Sequence, residues 1–184
     1  MSPDQHACAS ISDSKTELDS HANMAVAGKH CTVISDSGKT ARVKAFSPDC
    51  HTLENVKTVD IALKWHHPCT DEMHILIVQN ALHVPSMTNN LMPPFLMREA
   101  GVVVNDAPEI HTEDPGIDNH TLWFPDQKAR MPLQLTGIFS CFPTDKPSSQ
   151  DIDNCDPSNV LHLSPKGGWD PCTSIHAQNE ANMT

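Results

Sequence analysis

Three groups of residues carry side chains able to do chemistry. The first is Leu18-Asp19-Ser20-His21-Ala22. Peptide hydrolysis by paired carboxylates needs an Asp at the tip of a strand, followed by a hydroxyl that ties its loop to a symmetry mate. The same residues also fit an ordinary Asp-Ser turn, because both types bond their own backbone two residues on. The second group is Asp36-Ser37-Gly38. It sits where a hairpin turn is wanted, and all three are turn residues. Gly38-Lys39-Thr40 mimics the end of a phosphate-binding loop, but Val33 occupies the place of the required first Gly. The third group is His66, His67, Cys69 and His74, with Asp49-Cys50-His51 upstream. Imidazole and thiolate are zinc ligands. A hairpin loop carrying His67 and Cys69 could meet Cys50 or His51 from a neighbouring strand. No C-x-x-C pair or zinc-knuckle spacing accompanies them, and twelve His dispersed over a polar surface account for the cluster equally. No metal is assigned, and His66, His67, Cys69 and Cys50 stand only as candidates.

The elements that must position these groups read as short strands. Thr16-Glu17-Leu18 runs into Asp19. Residues 31–34 and 40–46 flank Ser35-Asp36-Ser37-Gly38-Lys39, which predicts a β-hairpin. Val59, Ile61 and Leu63 alternate with Asp60, Ala62 and Lys64, the period of a half-buried strand. His74 to Val78 is another, joined to it by a long loop over 65–73. One helix is expected from Pro94 to Ala100, since Pro suits a helix start and Gly101 a helix end. Val102-Val103-Val104 resumes as strand. Residues 106–119 read as a loop. Residues 121–124 and 132–135 predict a strand pair, and 137–142 a last strand. Cys31 alternates with apolar neighbours and reads as core.

Composition limits the rest. The chain has 184 residues, which is one ordinary domain or a smaller one with an extension. Fifteen Pro against seven Gly argue against long helices, because an interior Pro costs about 3 kcal/mol. A formal charge of −11 disfavours nucleic acid and anionic membranes as partners. The first residues lack a basic and apolar targeting pattern, and no aliphatic run approaches the ~20 residues of a membrane helix. Seven scattered Cys fit reduced thiols in a cytosol-like compartment.

A further pattern is longer. Ala81-Leu82-His83-Val84-Pro85 is followed by Asn90-Leu91-Met92 and Phe95-Leu96, with Gly101 beyond. This resembles the protease region of copia-type retrotransposon polyproteins, which ends in N-V-L-Y-V-P-x-x-x-x-N-L-L-S-V-x-x-L. Glu17-Leu18-Asp19-Ser20-His21-Ala22-Asn23 resembles a branch of those elements that carries E-L-D-S-H-A-D. Val26-Ala27-Gly28-Lys29-His30-Cys31 is similar to the segment that follows there. Pro132-Leu133-Gln134-Leu135, Gly137-Ile138 and Lys146-Pro147 look like the polyprotein's continuation. The resemblance covers roughly residues 16–172, and its two main blocks lie about 60 residues apart.

The resemblance implies an all-β, retropepsin-like closed β-barrel-type domain with one short helix. It would span 15–106, after a flexible leader over 1–14. A linker and β extension would occupy 107–142, and 143–184 would be a mostly disordered tail, being rich in Pro, Ser, Asp and Asn. It implies that Asp19 is catalytic, that Ser20, His21 and Ala22 support the dyad, and that Leu91 and Leu96 form the second hydrophobic motif beneath it. One such Asp per chain implies a C2 homodimer cutting its own polyprotein, in the cytoplasm or a virus-like particle, with no cofactor. The alternative is a catalytically inactive remnant that serves as an interaction or zinc-binding module.

Overall fold

A computed structural model describes residues 14–44 and 51–167. In chain order the elements are β1 (Ser14–Leu18), β2 (Val26–Ala27), β3 (Thr32–Val43), β4 (Leu53–His66), β5 (Met73–His83) and β6 (Asn90–Met92). Then come α1 (Pro94–Glu99), β7 (Val103–Asn105), β8 (Thr121–Phe124), β9 (Ala129–Pro132), β10 (Gln134–Thr136), β11 (Phe139–Thr144), α2 (Ser149–Asn154) and β12 (Val160–His162). The fold is β-rich.

Nine strands form one sheet in the order β10-β11-β1-β6-β2-β5-β4-β3, with β12 also on β5. β12 lies parallel to the first part of β5 and β2 parallel to its end. β6 enters between β1 and β2, parallel to the first and antiparallel to the second. β7, β8 and β9 form a second sheet. The strand path is open at both ends, so the expected closed barrel is not formed among the described residues. Closure requires the first and last strands to meet in register. Here one end is a three-residue exposed strand, and the other is a long edge interrupted by bulges.

One apolar cluster joins both sheets to α1. It includes Leu18, Ile61, Leu63, Leu76, Met92, Leu96, Met97, Leu122, Phe124, Met131, Phe142, Leu161 and Leu163. α1 forms as its flanking residues dictate. Pro94 starts it, and Gly101 at φ +87 ends it. Gly101 N–H donates to Arg98 O, and Val102 N–H donates to Met97 O, both at 3.0 Å. That satisfies carbonyls left open at a helix end.

Four further expectations are corrected. Residues 31–46 do not make a hairpin. β3 runs straight through the Asp-Ser-Gly segment and pairs with β4 along its length. The turn chemistry is spent on a bulge instead. Asp36 faces Val59 and Thr40 faces Lys57, while Ser37 Oγ donates to Thr58 O at 2.7 Å. Phe46 lies outside the described residues, as do the 1–13 part of the leader and Cys50.

Second, β8 pairs with Ala129–Pro132 rather than with 132–135. The chain changes sheets at Leu133, and Gln134–Thr136 pairs with β11. Third, the boundary expected near 106 falls inside a sheet, since β7 pairs with β8 and β11 pairs with β1. Fourth, the described part of the expected tail, residues 143–167, carries regular elements, while 168–184 lie outside the described residues. Asp145 exchanges two 2.9 Å backbone bonds with Lys64. α2 carries a capping box between Ser148 and Asp151, and Lys64 Nζ lies 3.1 Å from the Asp151 carboxylate. β12 then buries Leu161, and Leu163 follows it into the core. Isolated apolar residues suffice when a preformed strand supplies the other wall. Among the described residues no helix is long and apolar enough to cross a membrane.

Candidate functional site

β1 carries the first group to the end of the large sheet. Its alternate residues Ser14, Thr16 and Leu18 are buried, the last of them immediately before Asp19. β6 and β11 flank β1 on its two sides. The chain leaves the sheet at Asp19, whose N–H donates to Met92 O at 3.1 Å. The first residue of the loop is therefore fixed to the last residue of β6. Asp19 is half-buried, and its carboxylate accepts from His21 N–H at 3.0 Å. Asp19 O accepts from Ala22 N–H at 3.3 Å, which closes the turn. Ser20 and His21 are exposed, and Ala22 is half-buried.

Leu96 is fully buried in the main apolar cluster, to which Leu18 also belongs. Leu91 is only half-buried and sits between Glu17 of β1 and Val26 of β2. Met92, its neighbour, takes the core position. Alternation along a strand allows only one of the two to face that core. A smaller apolar cluster of Val56, Leu82 and Val84 lies toward the β3–β4 ribbon, with Met24, Val26, Ala41, Val43 and Met87 packed against it.

The sequence did not assign a role to the residues that tie this corner together. Asn89, Asn90, Gly28 and Thr16 form side-chain bonds across β1, β6 and β2. Their signal was the Asn-Asn pair opening a short apolar segment. Gly28 is required by space, since a Cβ there would lie 2.6 Å from Met87 O and 2.8 Å from Asn89 O.

The second Asp-Ser pair stays apart, in the exposed bulge of β3. Its Asp36 carboxylate accepts from Gly38 N–H at 2.9 Å and lies 3.7 Å from Lys57 Nζ.

The third group does not converge. His66 Nδ1 is 3.3 Å from Asp71 O and 3.6 Å from an Asp71 carboxylate oxygen. His67 Nδ1 accepts from the N–H groups of Cys69 and Thr70 at 3.1 and 3.3 Å, which shapes the loop between β4 and β5. Cys69 is exposed. His74 packs on Trp65 with ring centres 5.1 Å apart, and burial pushes its imidazole below the usual range. Among the described residues no three His, Cys, Asp or Glu side chains are grouped to hold a metal ion. Cys31 is a core thiol: it is buried, donates to Gly28 O at 3.3 Å, and is pushed up by burial.

Two depressions lie elsewhere. An open groove of about 380 Å³ is lined by Pro108, Ile110, Ile117, His120 and Leu135, among others. A cavity of about 90 Å³ lies beside Phe124 and His162. Neither includes the Asp19 loop. No protein-family model matches the chain, and no curated protein or solved structure matches it.

Proposed function

We propose that the chain is a retropepsin-like aspartic endopeptidase of a copia-type retroelement, active as a homodimer on its own polyprotein in the cytoplasm or a virus-like particle. The observation that carries this reading is the seat of Asp19. Half-buried Asp19 follows directly on an inner strand of the large sheet, with its backbone amide anchored to the neighbouring strand. One chain supplies one such Asp, so a C2 pair supplies two that are equivalent.

The chemistry follows from two like charges at close range. Both carboxylates cannot ionise together, so the pair holds one proton and titrates as a unit. The ionised Asp19 takes a proton from a water molecule, whose oxygen attacks the scissile carbonyl carbon. The protonated Asp19 of the other copy donates to the carbonyl oxygen. Collapse of the tetrahedral intermediate breaks the C–N bond, and the departing nitrogen takes a proton from the dyad. Ser20 braces the two loops across the dyad, and Ala22 keeps the turn small. Leu91 and Leu96 support it from below.

The test is cleavage of a polyprotein-derived peptide by purified protein at acidic and neutral pH. Wild type cuts and Asp19→Asn does not. Absence of cleavage by wild type, or equal cleavage by the variant, overturns the reading.

A second reading has its own support. His21 brings a bulky side chain to the residue after Ser20, and its N–H occupies one Asp19 carboxylate oxygen. That arrangement suits an inactive remnant that keeps the fold as an interaction module. A monomer without proteolysis favours it.

A further inference from the structure

Asn90 stands at the head of β6, between β1 and β2, and is 2% exposed. Its side-chain amide bonds in two directions. Oδ1 accepts from Gly28 N–H at 2.9 Å, and Nδ2 donates to Thr16 Oγ1 at 3.2 Å. This orientation is forced, because a backbone N–H can only donate and must face the oxygen. The Thr16 hydroxyl continues to Thr144 Oγ1 on β11 at 3.0 Å. One buried amide therefore links β2, β6 and β1, and through a hydroxyl it reaches β11.

Asn89 holds the flanking residues of β1. Its Oδ1 accepts from Lys15 N–H at 3.3 Å, and its Nδ2 donates to Glu17 Oε1 at 3.1 Å. Three consecutive residues, Lys15, Thr16 and Glu17, are thus gripped by two consecutive asparagines. Leu18 and Asp19 follow directly. Two residues beyond Asn90, Met92 O receives the Asp19 amide. Register between β1 and β6 sets where Asp19 leaves the sheet, and a slip of one residue would turn its side chain to the other face. A buried amide costs desolvation that only full partnering offsets, and such groups are known to fix register.

We infer that Asn89 and Asn90 are positioning residues for Asp19: they clamp the last turnless stretch of β1 so that the carboxylate is presented in one orientation. This rests on reading Asp19 as the proteolytic carboxylate. A displacement of about 1 Å in a reacting group lowers rate on the order of 100-fold.

The experiment uses the full chain with Asn90→Ala, Asn90→Asp and Asn89→Ala. Peptide cleavage is measured across pH, together with amide hydrogen exchange at Asp19 and Gly28. Asn90→Ala is expected to lower kcat about 100-fold with KM changed less than about twofold. Asn90→Asp gives a pH signature. Its neutral carboxyl can donate to Thr16 and accept from Gly28 as the amide does, whereas the ionised form has no donor. Its kcat therefore approaches wild type at acidic pH and falls as the new carboxyl ionises. A role confined to stability would lower Asn90→Ala and Asn90→Asp without that profile.

If Asn90→Ala does not fold, Asn89→Ala at its half-buried position is expected to lower kcat on the order of tenfold. Wild-type kcat in Asn90→Ala, or a pH profile of Asn90→Asp parallel to wild type, overturns the inference. If wild type shows no Asp19-dependent cleavage, the reading of Asp19 falls, and exchange still decides the clamp. Faster exchange at Asp19 in Asn90→Ala, with central β5 amides unchanged, supports it, and unchanged exchange at Asp19 overturns it.

Discussion

Two Asp-Ser pairs in this chain make the same local bond and end in opposite surroundings. The N–H two residues on reaches the carboxylate at 3.0 Å for Asp19 and at 2.9 Å for Asp36. Both are the small turn that Asp readily makes. Asp19, however, ends a strand with partners on both sides, and its amide is bound to Met92 O. Asp36 lies on the edge strand β3, exposed, beside Lys57. What separates the two is the company of neighbouring strands: β6 and β11 flank the strand that leads into Asp19, whereas the strand of Asp36 has only β4 beside it.

The widest separation between the two is in activity. Asp19→Asn should remove peptide cleavage, whereas Asp36→Asn should leave its rate within about twofold, as expected of a surface change away from the chemistry. Comparable loss in both would break the distinction. Stability should divide along the same line, between sheet centre and edge. Leu161→Ala in β12 should cost about 2–5 kcal/mol in urea unfolding, because the side chain is fully buried. Val33→Ala on the ribbon, 41% exposed, should stay within about 0.5 kcal/mol.

The two glycines near these Asp residues give a narrower contrast. Gly28→Ala pushes a methyl group against backbone carbonyls and should cost about 1–3 kcal/mol, with loss of cleavage. Gly38→Ala meets open space and carries only the strain of φ +74, about 1 kcal/mol, with cleavage intact.

The smallest and broadest effect concerns pH. Burial holds His74, His120 and His162 below their ordinary value of 6.5, and Lys166 adds to this at His162. The unfolded chain binds more protons just below that value. Their stabilising contribution is therefore complete above about pH 6.5 and is lost as pH falls through the lowered values. Tm should decline on acidification from pH 6.5, the direction in which a carboxylate dyad gains its shared proton. A Tm that rises there would contradict the burial of these rings.

The parts of this fold that local chemistry dictates were legible. α1 lies where Pro94 and Gly101 place its ends, and β4 follows the alternation of Val59, Ile61 and Leu63. The β1 strand ends at Asp19 as its sequence indicates. What escaped were decisions made by distant partners. Asp36-Ser37-Gly38 has the residues of a hairpin turn, and only the β4 strand beside it converts them to a bulge. Leu161 and Leu163 look stranded until β5 is in place. Leu91 and Met92 are equally apolar, and the packing of β6 selects Met92 for the core. The Asn89-Asn90 pair carries no chemistry of its own. Its part emerges only when β1 and β2 stand on either side of it.

The docking of β12 on β5 also sets an order of events during synthesis. Ser164 Oγ accepts from Gln79 N–H at 2.8 Å across 85 residues of chain. At a translation rate of about 5–20 residues per second, β5 waits roughly 4 to 17 seconds for this partner. Until then the first part of one β5 edge is bare, and the core lacks two leucines. The nascent protein is thus a sheet with a gap in its middle, sealed only when β12 emerges.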